Sequence, residues 1–222
     1  MAVLTESLAR AAGYIVSEAS GHRSREQIWL AAEAGVLLAG AVLAAKVVPA
    51  DAEATAAADA GNTASSGTIA MDVTTPIAAN AKNGRYVGVA SAATKVNWTD
   101  PNGQPLGVST HGVAFVGGGI KFTITAGGTP NVVGDKFYVD VVVEPGDLRY
   151  VAFDPEGTDG SEVARAILYE GRDASGEDDV RAVVTARDTE VQTAALVWAD
   201  GVTGDQKTAA LASLATLGII GR

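Results

Sequence analysis

Cysteine is absent from the 222 residues, which removes disulfides, thiolate nucleophiles and cysteine-ligated zinc together. Histidine occurs only at His22 and His111, in parts of the chain assigned below to different domains. No helix would bring either to a second ligand, so neither reads as a metal ligand. Runs of Lys or Arg are missing too, and 16 basic against 26 acidic residues leave a net charge of −10. A surface of that sign repels a phosphate backbone, so nucleic acid is excluded as a partner. Long apolar runs are scarce: Ala34 to Ala45 is uninterrupted by polar residues, but spanning a bilayer takes ~20 residues. Gly35 and Gly40 divide the stretch into two short buried strands, and it lies too deep, behind acidic residues, for a secretory signal. No membrane partner is expected, and the chain reads as made and kept in cytoplasm, or in a particle assembled there.

What is present is small apolar side chains. Hydrophobic residues make up 47% of the chain and mean hydropathy is +0.18, enough for a packed core in one or two domains. Alanine supplies 42 positions and Phe, Trp and Tyr together only 12, so each large side chain carries more of the packing. The acid excess is uneven. Residues 147–222 hold 14 acidic and 7 basic groups, while residues 1–51 and 52–146 are close to balance.

Along the chain, Tyr14–Ser17 reads as a strand, Glu18–Gln27 as a polar stretch and Ile28–Ala31 as a second apolar piece. Ala50–Gly67 is nearly all Ala, Asp, Thr, Ser, Asn and Gly and reads as a linker. Residues 68–144 look like a compact all-β unit. Asp100-Pro101-Asn102-Gly103 suits a type I turn between strands; Ile120, Phe122 and Ile124 alternate with Lys121, Thr123 and Thr125, and Phe137, Val139, Val141 and Val143 repeat the period of two. Arg149–Phe153, Ala164–Tyr169 and Arg181–Ala186 are further strands, with Asp173–Asp179 an acidic loop. Thr203 can cap a helix over Gly204–Thr216 with Leu211, Leu214 and Leu217 as its apolar stripe, Gly218 stops it, and Ile219-Ile220 ends in a strand. The fold class is mainly β (α+β) with one C-terminal helix: one domain made from both ends of the chain, and a small sandwich-like all-β domain inserted between.

Signals for chemistry are weak. Gly107-Val108-Ser109-Thr110-His111-Gly112 resembles a nucleophile elbow, but the second glycine is one place too far and no helix follows, so a β-turn explains it better. Gly117-Gly118-Gly119 lacks the following Lys-Ser or Lys-Thr of a phosphate loop. Asp173, Ser175, Glu177, Asp178 and Asp179 lack the spacing of a calcium loop and read as a solvated acidic loop. No catalytic residue, cofactor or metal is expected, and Trp198 reads as core.

Three stretches are more specific. They are Leu4-Thr5-Glu6 with Ile15-Val16-Ser17-Glu18-Ala19 through Glu26; Tyr150–Pro155 with Thr158-Asp159-Gly160 and Ala166–Tyr169; and Val183–Asp188 with Val197-Trp198 and the helix ending at Leu217-Gly218-Ile219-Ile220. Together they resemble the head decoration proteins of tailed bacteriophages, the lambda type, over about residues 3–48 and 148–222. The resemblance implies a β-clip-like core that forms a homotrimer on the outer surface of the virion's capsid, at three-fold and quasi-three-fold sites, and stabilises the expanded head against internal DNA pressure. It implies a major capsid protein as partner and an N-terminal arm that becomes a strand against it, with Val3, Leu4, Thr5, Glu6 and Leu8 as the capsid-binding residues. The domains are then 1–12, the arm; 13–51 with 147–222, the discontinuous core; and 52–146, an inserted β-domain that the simplest members lack. The rival from another class is a surface-displayed host- or carbohydrate-binding module carried by that insertion; a second rival is a small hydrolase using Ser109 and His111.

Overall fold

The computed structural model describes residues 10–222, of which 45% are in strands and 10% helical. The chain opens with β1 (Ile15–Glu18), a single helical turn α1 (Gly21–Ser24), β2 (Arg25–Leu30), β3 (Gly35–Leu37) and β4 (Val42–Val47). It continues through β5 (Glu53–Ala58), β6 (Gly67–Met71), β7 (Gly84–Ala92), β8 (Lys95–Thr99), β9 (Pro105–Thr110), β10 (Ala114–Gly117), β11 (Ile120–Ala126) and β12 (Lys136–Val142). The return is β13 (Leu148–Ala152), β14 (Ala164–Leu168), β15 (Arg172–Ala174), β16 (Val180–Thr185), β17 (Thr189–Val191), the helix α2 (Gly204–Thr216) and β18 (Ile219–Gly221). Two compact units result, one from the residues up to Lys46 with Leu148–Arg222, the other Val47–Asp147.

In the first unit five strands close into a barrel in the order β13-β2-β16-β14-β4. Ile28, Leu30, Leu43, Ala166, Leu168, Ala182 and Val184 form one buried cluster. A ring of only five strands has a narrow bore filled by side chains, and the buried alanines at 166 and 182, on β14 and β16, suit that bore. A second cluster joins Tyr14, Val42, Ile167, Val191, Leu214 and Ile219, where α2 and the three-stranded sheet β1-β17-β18 pack on the barrel. Thr203 and Gln206 form a reciprocal capping box at the start of α2, and Gly218 leaves it with φ +80°. The expected stripe is incomplete: Leu214 is fully buried and Leu211 packs against the core, but Leu217, just past the last turn, is 40% exposed.

In the second unit a five-stranded sheet, β5-β12-β7-β8-β9, and a three-stranded sheet, β10-β11-β6, meet through aromatic rings. Trp98 from the first lies 4.4 Å from Phe122 of the second, which stacks 5.0 Å from Phe115. The turn at Asp100–Gly103 forms as expected, with Gly103 N–H donating to the Asp100 carbonyl.

Four local expectations are corrected. Ala50–Gly67 is not a linker throughout: Glu53–Ala58 pairs with β12 residue for residue, from Val142↔Glu53 to Phe137↔Ala58. Alanine is a weak strand former, and the strand exists because β12 satisfies its backbone. The segment from Gly107 is a turn only at its end: Gly107–Thr110 belongs to β9, and the expected turn follows it, with the Val113 N–H donating to the Thr110 carbonyl and Gly112 at φ +75°. The polar stretch Glu18–Gln27 holds α1 and the start of β2, and the acidic loop begins as β15, paired with β3.

Candidate functional site

The capsid-binding residues inferred from resemblance, Val3, Leu4, Thr5, Glu6 and Leu8, lie outside the described residues. What is described is the base into which that segment runs. Ala12 takes the left-handed conformation, φ +61°, and donates its N–H to the Tyr169 carbonyl. Tyr14 then enters the core at 1% exposure, its hydroxyl 2.7 Å from Thr185 Oγ1 and within reach of the Ile167 carbonyl. Burial raises its phenol well above the ordinary value.

After that anchor the chain forms β1, the outer strand of its sheet: one side pairs with β17, and the other has no neighbour among the described residues. Side chains hold this edge in place. The Arg25 guanidinium grips the Glu18 carboxylate, holding it below the usual range, and lies 4.1 Å from the centre of the Tyr169 ring. Ser17 donates to Glu190, itself paired with Arg222, and Arg23 meets Asp188 at 2.9 Å. Val16 between them is 57% exposed. An anchored strand with one free edge is suited to take another extended segment by backbone pairing.

Ser109 and His111 are not brought together as a catalytic pair. Ser109 is 2% exposed in β9, its hydroxyl accepting the indole N–H of Trp98 at 2.9 Å. His111 lies past the strand's end, with Nε2 2.9 Å from Asn131 Nδ2 and its ring edge-on to Phe137; burial lowers its pKa. The acidic loop is partly self-satisfied: Asp173 accepts from the Ser175 amide and hydroxyl, and Asp179 pairs with Arg149 and caps the Ala32 N–H.

A sugar-binding platform would need an open aromatic face. In the second unit Tyr86, Trp98, Phe115, Phe122 and Phe137 are buried. Tyr138, half-buried on the outer face of the five-stranded sheet, has the Arg85 guanidinium 4.7 Å over its ring and its hydroxyl bonded to Asp59. Trp198 is half-buried rather than core, packed edge-on against Phe153 with Lys207 on its ring. The free edge of β1 carries no mark in the sequence, because an edge is defined by where the other strands lie.

No curated protein matches this chain. Two crystal structures of Xanthomonas campestris FlgL are similar at 15% identity over 59% of this chain, with a TM-score of 0.32; the chain spans about two fifths of their length, 41% and 40%. A likeness at that level carries no argument. The model of the bacteriophage lambda head decoration protein D family matches residues 3–219, nearly the whole chain. The chain therefore belongs to the family of the bacteriophage lambda head decoration protein D, and its role is that of a structural protein decorating the capsid of a phage head.

Proposed function

We propose that the chain binds as a homotrimer to the outer surface of the expanded capsid, at three-fold and quasi-three-fold sites, and stabilises it against internal DNA pressure. The observation that carries this reading is the family match from residue 3 to residue 219. In it, residues 1–12 are the arm, 13–51 with 147–222 the core, and 52–146 an insertion that works without a ligand. Val3, Leu4, Thr5, Glu6 and Leu8 touch the major capsid protein. The free edge of β1 supports an arm that docks by adding strands, since it offers unpaired backbone directly after that segment.

The action is passive. Ordering ~10 arm residues costs on the order of 10 kcal/mol, which backbone pairing with the capsid has to offset. Three arms per trimer raise one another's effective concentration, so contacts that are weak singly hold durably together. A protein that binds the expanded lattice and not the unexpanded one stabilises the former by mass action, with no turnover.

Deleting Ala2–Ala12 tests the arm. The truncated protein should remain a folded trimer, by native mass spectrometry, and no longer sediment with expanded heads, which the full chain should bind in preference to unexpanded ones. Undiminished sedimentation of the truncated form would refute the arm's part in docking.

A further inference from the structure

Among the described residues, one buried side-chain atom has no hydrogen-bond partner: the carboxamide oxygen Oδ1 of Asn131. Asn131 is 6% exposed, in the loop between β11 and β12, and its Nδ2 stands 2.9 Å from Nε2 of His111, the first residue after β9. Both backbones are tied to the β7–β8 turn, the His111 N–H donating to the Thr94 carbonyl and the Asn131 N–H to the Ala93 carbonyl. The imidazole is half-buried and edge-on to Phe137 of β12, and a Cβ at Gly67, where β6 starts, would stand 3.7 Å from its Cε1. Three loops of the second unit therefore meet on a pair of side chains, one of which titrates.

An amide NH2 only donates, so an Nε2 facing Nδ2 has to accept, and the ring is then neutral with its proton on Nδ1. Turning the amide over while the ring stays neutral would exchange one idle carbonyl oxygen for idle N–H donors, and buried donors are the costlier orphans. Protonation reverses the demand. Both nitrogens of an imidazolium donate, so Nε2–H cannot stay against Nδ2, and the amide has to turn about its Cβ–Cγ bond to offer Oδ1. The turn leaves the NH2 in the buried place that Oδ1 held, so the charged pair holds the loops less firmly than the neutral one.

The charged groups on the elements around the ring do not set this balance. Asp59 accepts from the Tyr138 hydroxyl and Asp135 from the Thr63 and Val132 amides, Lys95 and Lys136 are exposed, and β6 carries no ionisable residue. Both carboxylates are held below the usual carboxylate range, and burial by itself lowers the His111 pKa. An opened loop binds the proton at the ordinary value of about 6.5 and the closed one only at lower pH. The neutral pair's contribution is thus whole above about pH 6.5 and is lost as pH falls through the folded value.

We propose that His111 and Asn131 form a proton-sensitive latch on these three loops, closed while the imidazole is neutral and accepts from Asn131, and loosened when protonation makes the amide turn.

Nitrogen NMR of the full-length protein tests the latch. At about pH 7.5 the His111 proton should sit on Nδ1, and on acidification Nε2 should protonate with a midpoint below about 6.5, the Asn131 side-chain amide signals moving at the same midpoint. Below it, hydrogen exchange of the His111 and Asn131 backbone amides, corrected for the intrinsic rate, should quicken at least about threefold. Asn131→Asp sets an anion beside Nε2–H and should raise the midpoint above about 6.5 and abolish the acid loosening. His111→Gln, which cannot titrate, should show no acid step in exchange and decides the matter if the aspartate variant fails to fold. A proton on Nε2 at about pH 7.5, a ring titration that leaves the Asn131 amide unmoved, or acid loosening that survives in His111→Gln would overturn the latch.

Discussion

Replacing Gly88 by alanine should unfold the second unit at a much lower temperature, although alanine is the better residue in most strands. Gly88 sits directly opposite Trp98 in the β7–β8 ladder, and the indole lies across the space a side chain would take. A Cβ there would stand 2.6 Å from Trp98 Cζ2, 2.7 Å from Cε2 and 2.8 Å from Val96 Cγ1. Carbon atoms pack at about 3.5–4.0 Å, so something must move by about 1 Å. The indole has nowhere to go: it is 1% exposed, tied to Ser109 by its N–H and wedged against Phe115 and Phe122. Overpacking of this kind costs about 1–3 kcal/mol, and pulling the indole off a buried hydroxyl costs about 1 more. Removing a glycine stabilises by about 0.4–1 kcal/mol through the unfolded chain, leaving a net loss of about 1–3.5 kcal/mol. In a unit of about a hundred residues that lowers Tm by roughly 4–28 °C, measurable by calorimetry alongside tryptophan fluorescence. Gly128→Ala, where a Cβ meets nothing within 4 Å, serves as the control. In Gly88→Ala with Trp98→Phe the clashing ring atoms are gone, so the two changes should couple by at least about 1 kcal/mol. A Gly88→Ala protein melting within about 2 °C of the wild type, or purely additive effects, would refute the packing argument.

Tyr14→Phe should cost about 1–3 kcal/mol in urea denaturation, because it deprives Thr185, itself fully buried, of its 2.7 Å partner; an unchanged midpoint would show that hydroxyl to be satisfied otherwise. Thr203→Ala removes the side chain that receives the Gln206 N–H at the start of α2 and should cost about 1 kcal/mol, read as a lower Tm, with Thr203→Ser restoring most of it. The Ser161 hydroxyl and the Lys46 ammonium hold Asp159 down at about 2. A depressed carboxylate contributes stability above its unfolded pKa and loses it as pH falls through the folded one, so this contribution is complete above about pH 5 and gone near pH 1. Asp159→Asn should therefore destabilise at pH 7, by less than about 1 kcal/mol for so exposed a pair, and the difference from wild type should vanish by about pH 1; a difference that persists there would refute the linkage.

Features with short-range causes were legible in the residues. The helix over Gly204–Thr216 announces itself through Thr203, Gln206 and Gly218, and the turn at Asp100–Gly103 through its proline and glycine, because caps and tight turns are settled within a few residues. The alternation in β11 and β12 was readable because each strand buries one face. β5 was not. Its alanines carry no strand signal, and its partner lies about eighty residues further on, in β12. The strand at Gly107–Thr110 was not legible for a related reason, since the place of Ser109 under Trp98 depends on the register of β8 with β9.

Composition and local pattern by themselves determined that this chain folds, that it is built mainly of β-strands with one C-terminal helix, and that its ends carry the marks of a head decoration protein. Those properties depend on side-chain size, charge sign and neighbours close along the backbone. Only the tertiary structure decided that β1 has a free edge and that five strands close into a barrel. Such features join residues more than a hundred positions apart, as Leu30 meets Tyr150 across the barrel seam, and no short-range preference encodes which strands will be neighbours.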